Sequence, residues 1–421
     1  MRIPVRILGI GFTVMLAFHA AQAGELGAKT PVSQPPSPSG GDWCKSLVDF
    51  PKLYKNDENP YLQELNLYLV YHHQYTYIDG KDRNGRHFND VYDENRRFWW
   101  GFNGRFLDYF KFKFASNASR DLGPAGGRWQ LGHENFRSAY VSFDAGRAFG
   151  IEAVDSLEFG YGRRSIRMTD QWQRSATHIN TIERADFSNK MWPNDEDGSN
   201  PLAAWLKFTK GLSTVDIAVV STDESGYMPS WNAGTMLFVS WEGDFAGMTP
   251  FDMNDLWFSF FYQDADIPED RLAGGIEWAL AGVSRIGRGP WAVHTSLGIG
   301  DNGDQTNPRR EGMFWGGYVM PMYWIVDGKL KLVLRYQYQG AEEPDGIRLN
   351  GRYARVAEQR LGLALNGGRG DEHHNLYAGL NWYLCGENVK LMTGVQYDRL
   401  ESDGQRIYSG WTTSVAARFF F

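Results

Sequence analysis

The arginines cluster where they could do chemistry. Within the connection 163–200, residues 163 to 190 carry Arg163, Arg164, Arg167, Arg174, Arg184 and Lys190 against Asp170, Glu183 and Asp186, a net positive stretch in an acidic protein. An arginine presents a planar fork of N–H donors that holds an oxyanion by two bonds at once, so such a loop can build an anion-selective constriction. The same arginines could instead pair with lipopolysaccharide phosphates or neighbouring carboxylates on a surface. A second set is Arg105, Lys111, Lys113, Lys207, Lys331, Arg335, Lys390 and Arg418, each in a segment where ringed or apolar residues alternate with polar ones. Lined up inside a narrow passage they would attract anions. Metal chemistry is not expected: in a strand the neighbours His72-His73 and His373-His374 face opposite sides and cannot converge on one ion. Asp301-Asn302-Gly303-Asp304 lacks the glutamate a calcium loop needs and reads as a turn. No Gly-x-Ser-x-Gly, phosphate-cradling glycine loop or catalytic dyad is present, so neither an enzyme nor a cofactor is expected.

The elements that must hold these cations show a period of two. From Leu65 to Tyr77 the odd positions include Leu65, Leu67, Leu69, Tyr71, Tyr75 and Tyr77, and the residues between are mostly polar. Phe98, Trp100, Phe102 and Phe106 alternate with Arg97, Asn103 and Arg105, and Leu330, Leu332, Leu334, Tyr336 and Tyr338 with Lys331, Val333, Arg335 and Gln337. The segment 408–421 alternates likewise and ends on Phe419-Phe420-Phe421. Applied throughout, the pattern predicts sixteen strands: 61–77, 97–106, 111–114, 136–145, 156–162, 201–208, 212–220, 232–241, 255–262, 273–283, 290–300, 313–325, 329–339, 374–384, 389–399 and 408–421. Connections 79–94, 117–134, 163–200, 221–231, 263–272, 301–312 and 340–373 are long. They alternate with short ones at 107–110, 209–211, 284–289, 326–328 and 385–388, and with 146–155 and 242–254, which are longer than the pattern asks of that side. An even strand count with alternating loop lengths predicts an all-β, transmembrane antiparallel β-barrel of about sixteen strands with a long loop folded inward. A helical period is visible only at 353–365.

Residues 1–23 combine Arg2 and Arg6, an apolar run from Ile7 to Phe18 and Ala21-Gln22-Ala23, the pattern of a cleaved secretory leader. Residues 24–60, rich in Pro, Ser and Gly at 31–41, are expected as a periplasmic lead-in, and 61–421 as the barrel. Without the leader the chain has 41 basic and 50 acidic residues, a charge near −9 that speaks against nucleic-acid binding. The chain is 15% aromatic with 16 tryptophans, yet its mean hydropathy is −0.46, as suits strands apolar on one face only. Cys44 and Cys385 are the two cysteines. If both lie on the periplasmic side, they could pair and staple the lead-in to the barrel rim.

Several stretches resemble the bacterial phosphate-selective porins O and P: Gly317-Tyr318-Val319-Met320-Pro321, Lys329 through Tyr338, Tyr377 through Leu384, and Val389 through Tyr397, with Arg96-Arg97 to Lys113 and Ile182-Glu183-Arg184 similar too. The resemblance implies a sixteen-stranded, trimeric barrel in the outer membrane that passes anions, with selectivity set by arginine ladders and a lysine cluster. The expected function is therefore passive diffusion of small anions such as phosphate, with outer-membrane lipid and lipopolysaccharide as surroundings. Two rivals are a general or carbohydrate porin, whose path Trp172, Trp192 and Trp205 would line, and a secreted all-β carbohydrate-binding protein.

Overall fold

A computed structural model describes residues 42–119, 131–174, 177–193, 200–223, 229–265, 270–350 and 352–421. The expected leader, the linker at 31–41 and the middle of connection 117–134 fall outside these residues. Period-two segments become strands because apolar side chains can then face lipid while every backbone N–H and C=O is spent on a neighbouring strand, the condition for crossing hydrocarbon. The strands are β1 (Leu62–Lys81), β2 (His87–Phe106), β3 (Phe110–Ser119), β4 (Leu131–Asp144), β5 (Ser156–Arg163), β6 (Leu202–Lys210), β7 (Ser213–Ser221) and β8 (Thr235–Asp244). Then follow β9 (Met253–Gln263), β10 (Trp278–Arg288), β11 (Trp291–Asp301), β12 (Met313–Val326), β13 (Leu330–Ala341), β14 (Glu372–Tyr383), β15 (Val389–Ser402) and β16 (Gln405–Phe420).

Each strand pairs antiparallel with the next, and β16 pairs back onto β1 from Ser409↔Lys81 to Phe420↔Val70, so the sheet closes. All sixteen expected strands are present. Leu334, Tyr336, Leu376, Leu380, Trp382, Val415 and Trp411 stand exposed on the outer surface, and their ladder neighbours Arg335, Gln337, Asn375, Asn381, Ser414 and Arg418 are buried inside. This outward apolar belt around a closed sheet makes the chain a transmembrane barrel.

Several boundaries differ from the expectation. The connection at 79–94 shrinks to residues 82–86, because β1 and β2 run on above the apolar belt. There the outward residues turn polar, as in the Asp79–His87 pair at 3.1 Å, and apolar alternation no longer marks a strand. Asp82 Oδ1 accepts from the backbone N–H of Asn84 and Arg86 to close that turn. Strand β10 begins at Trp278 rather than 273, since Leu272–Gly275 forms a short helix with left-handed Ala273 and Gly274. The short connection at 284–289 therefore reduces to Gly289-Pro290, and that at 242–254 to 245–252. The helical period at 353–365 corresponds to a helix at Ala354–Leu361, ended by left-handed Gly362.

The lead-in contributes a helix at Asp42–Asp49 and a short strand, Lys52–Lys55, paired with Glu64, Leu65 and Asn66 of β1. Cys44 is disulfide-bonded to Cys385 in the β14–β15 turn, with Cα atoms 5.5 Å apart, and both are fully buried beside Val389, Leu47 and Phe419.

Candidate functional site

A water-filled barrel should be polar throughout its interior, yet Ala203, Ala218, Val220, Met236, Phe238, Phe261, Ala279 and Ala281 point inward. They form a seat. From the connection between β5 and β6, Ile166, Met168, Phe187 and Met191 enter the lumen, pack against these residues and are at most 1% exposed. Each such burial contributes roughly 1.5–3 kcal/mol, so the loop is held inside by the ordinary hydrophobic effect. Two short helices, Asp170–Gln173 and Asp186–Lys190, give it shape, each with an acid in its first turn where the helix dipole favours one.

Polar anchors fix the orientation. Asp170 accepts from Arg285 Nε on β10 and lies 3.1 Å from His294 Nδ1 on β11, while its backbone N–H donates to Ser296. Burial by itself would raise the Asp170 carboxyl; His294 and Arg285 bring it well below the usual range. On the opposite wall, Lys390 donates to Ile179 O at 3.1 Å, Arg418 to Ile182 O at 2.7 Å and Arg335 to Glu183 O at 3.2 Å. Lys331 reaches Asn180 Oδ1 at 3.3 Å, and Asn381 donates to Asn180 O at 2.8 Å. Glu183 accepts from Arg96 Nε at 2.7 Å. Its burial would raise its carboxyl, but Arg96 and Arg97 hold it at about 2.

The wall cations thus divide by role. Lys331, Arg335, Lys390 and Arg418, expected as an anion ladder, are spent on the carbonyls and side chains of the loop. Arg105 pairs with Asp57 of the lead-in, and Lys111 with Glu158 at 2.9 Å near the short-turn rim. Arg163 donates to Asn200 O at 2.8 Å and ties the loop's two ends together. Arg164, Arg167, Arg174 and Arg184 of the loop meet Lys113, Arg137 and Lys207 of the wall around a cavity of about 280 Å³ on the side of β1–β9. Seven basic side chains line it against three carboxylates, Glu158, Asp216 and Glu242. The cations are oriented by rings and acids: Arg184 lies 3.6 Å over Trp172, Arg137 3.8 Å over Trp99 and Lys113 4.4 Å over Tyr68. Arg164 forks onto Asp216 at 2.9 and 3.0 Å while lying over Trp205.

Arg96, Arg97, Arg137 and Arg285 also serve the site, although strict alternation does not point to all of them. At His72/His73 the β1–β2 register shifts by one, so His72 faces Arg97 while His73 faces Asn95. The bulge leaves Arg96 as an extra residue and lets both arginines work inside. The doublet Arg96-Arg97 is the only sequence sign of it. Arg285 falls in a segment expected to be a turn, and Arg137 sits in the middle of β4, near the start of the expected strand 136–145.

His72 and His373 are inside and buried, while His73 and His374 are on the outer face. Asp186, His373 and Asp398 do bring three ligand atoms within 4.8 Å of one another. Their atoms are already engaged: His373 Nε2 meets Asp398 at 3.0 Å, Gln337 and Gln339 approach Nδ1, and Asn375 donates to Asp398. Asn350 N–H donates to Asp186. The group joins the second loop helix to β14 and β15. The tryptophans considered as a sugar path are also engaged: Trp172 is stacked 3.5 Å from Trp192 on one side and lies under Arg184 on the other.

No family model and no curated protein matches the chain. Solved structures do. The outer-membrane channel DcaP of Acinetobacter baumannii superposes with a TM-score of 0.53 at 12% identity, covering 87% of this chain and 99% of that one. The anion-selective porin from Comamonas acidovorans gives 0.52 at 11% over 85% and 99%, and OprB of Pseudomonas putida 0.51 at 11% over 85% and 94%. With its closed sixteen-stranded sheet, lipid-facing belt and loop folded into the lumen, this chain has the fold of the outer-membrane porins and belongs in the bacterial outer membrane.

Proposed function

We propose that the protein is a passive diffusion channel for small anions, inorganic phosphate among them, with the cavity between the inserted loop and β1–β9 as its selective passage. The single observation that carries this is the excess of seven basic side chains over three carboxylates around that cavity. In a narrow, poorly screened passage such an excess lowers the barrier for anions and raises it for cations. The mechanism is attraction followed by transfer between weak sites, with no covalent step. Reversal potentials in planar bilayers under a potassium chloride gradient test it, followed by replacement of chloride with phosphate. Chloride preference is expected; potassium preference or indifference would remove the anion reading.

We further propose that the channel works as a homotrimer. On the outer face of β1 and β2, His73 Nε2 and Asp93 Oδ1 pair at 3.1 Å with Asp93 largely exposed, and Asn95 and Tyr71 join them. Exposed Val91, Tyr75 and Tyr77 lie on one side of this group and Trp100 on the other. A carboxylate with polar partners amid an apolar belt is costly against lipid and cheap against protein. Cysteines at 73 and 93 should cross-link between copies in native membranes. Labelling of both from the lipid phase, without cross-links, would count against the seam.

A further inference from the structure

Away from the passage, arginines gather a second time at the outer mouth. Within the connection between β13 and β14, Ile347–Arg348 and Arg369–Gly370 form a short antiparallel ladder in which Arg348 stands directly opposite Arg369. Like charges placed so repel. The ladder lies inside the mouth and not against lipid: Ile347 is fully buried in the same cluster as Leu400 of β15, and a Cβ placed on Gly370 would meet Leu400 Cδ1 and Glu401 O. Arg355, from the helix Ala354–Leu361, crosses beside the ladder, since a Cβ placed on Gly368 would fall 2.7 Å from its Cγ. Arg310 closes the single turn Pro308–Arg310, which is brought alongside by the Asp345 N–H donating to Arg309 O at 2.8 Å.

Backbone carbonyls hold these forks in place. Arg348 Nε donates to Gly367 O at 3.1 Å, Arg369 Nη1 to Asp345 O at 3.3 Å and Arg355 Nη1 to Leu349 O at 3.4 Å. Asp345, Glu358 and Asp186 are the described carboxylates that act on Arg355 and Arg369, and all three are engaged elsewhere. Asp345 accepts from Arg309 Nε at 3.1 Å and Asn366 Nδ2 at 2.8 Å, Glu358 from the N–H groups of Leu365 and Gly367, and Asp186 from that of Asn350. The Nε of Arg310 is buried with no partner among the described residues. Burial lowers the Arg369 guanidinium to about 10, and Arg348, Arg310 and Arg355 push it the same way.

We propose that Arg310, Arg355 and Arg369 form a binding site for a dissolved divalent oxyanion, phosphate or sulfate, at the outer mouth ahead of the passage. Each fork keeps N–H donors beyond the bonds above, and a tetrahedral dianion offers oxygens on several sides at once. Chloride brings one charge and no pair of oxygens to match a fork. A shared dianion also offsets the repulsion across the ladder. Because the site lies inside the mouth, its occupant is a solute and not a lipid headgroup. Its use to the channel, gathering oxyanions where they enter, rests on the anion-channel reading above; the site itself does not.

The test is calorimetric titration of the full chain in detergent with sodium sulfate, a dianion at every working pH, and with sodium chloride. Sulfate is expected to bind the more tightly. Replacing Arg355→Gln and Arg369→Gln together should weaken it about tenfold or more, as the loss of charge-assisted bonds allows, while the reversal potential in a potassium chloride gradient stays that of the native channel. An unchanged sulfate affinity in the double variant, or chloride binding as tightly as sulfate, would overturn the site. Potassium preference of the native channel would instead overturn the reading of the passage and the gathering role with it. Should the double variant fail to assemble, the native chain decides: sulfate should slow phenylglyoxal modification of Arg355 and Arg369, read by peptide mass spectrometry, but not that of Arg406, exposed at the start of β16. Equal rates with and without sulfate at Arg355 and Arg369 would overturn the proposal.

Discussion

At the scale of single residues, the lumenal cations are of two kinds, and substitution should separate them. Arg167 is an exposed side chain on the loop that lines the passage, whereas Lys390 is fully buried and bound to Ile179 O and Glu387. Arg167→Glu changes the passage charge by two and should move the reversal potential in a salt gradient toward cations, with the conductance little altered. Lys390→Met removes one latch and leaves Glu387 without its buried partner, a change that typically costs about 3–5 kcal/mol. Its expected mark is a larger and noisier conductance in single-channel records, with selectivity changing less than in Arg167→Glu. Acid should act on a second latch, the Glu183–Arg96 pair. Because Glu183 is held at about 2, below the ordinary glutamate value near about 4.3, its pairing with Arg96 stabilises the loop above that ordinary value and is lost as pH falls toward 2. Single-channel noise should stay flat from neutral pH to roughly pH 5 and rise below about pH 4; noise that rises already between pH 7 and 6 would refute the assignment.

At the scale of elements, the strands were legible because a lipid-facing barrel imposes period two on the sequence, and all sixteen can be placed from it. What stayed illegible are the departures from that period. The extra residue at Arg96 shifts β2 by one, the upper ends of β1 and β2 rise beyond lipid, and the inward apolar residues of β6–β10 make sense only once the loop sits on them. The loop was visible as a long insertion with a basic stretch at 163–190. Its grip on Lys331, Arg335, Lys390 and Arg418 was not, because nothing in a strand's alternation says whether an inward lysine meets a solute or a carbonyl. One wall contact tests how closely side chains and strands are fitted here. A Cβ placed on Gly160 of β5 would fall 2.0 Å from the Trp205 ring, so only glycine lets that indole lie across the strand under Arg164. Gly160→Val should push Trp205 into the passage, freeing Arg164 from its platform. Conductance should fall while the barrel still forms, and a wild-type conductance would mean that the ring has room elsewhere.

At the scale of the whole molecule, stability depends on closure, since an open barrel exposes a row of unpaired N–H and C=O groups that hydrocarbon cannot satisfy. The seam between β16 and β1 is therefore worth more than its share of contacts, and its last residues bind it at the short-turn rim. Phe421 N–H donates to Leu69 O at 2.9 Å and Leu69 N–H to Phe421 O at 3.0 Å. Phe420 N–H donates to Asn388 O, and Asn388 Nδ2 to Phe420 O, both at 2.8 Å. The ring of Phe420 stands edge-on to Tyr68 and that of Phe419 lies against Tyr71. Deleting Phe419–Phe421 removes these bonds, each worth about 1 kcal/mol net in water and more in lipid, together with two ring contacts of roughly 0.5–1.5 kcal/mol. The loss falls at the one place where no next strand can make it good. The folded fraction, read as the heat-modifiable band in unboiled electrophoresis, should collapse for this deletion. Removing Asp403-Gly404 from the turn at the other end of β15–β16 opens no seam and should leave most of the band in place. If the truncated chain folds as well as the full one, the ladder from Ser409 to Arg418 is sufficient for closure, and the terminal aromatics hold the rim without deciding whether the barrel forms.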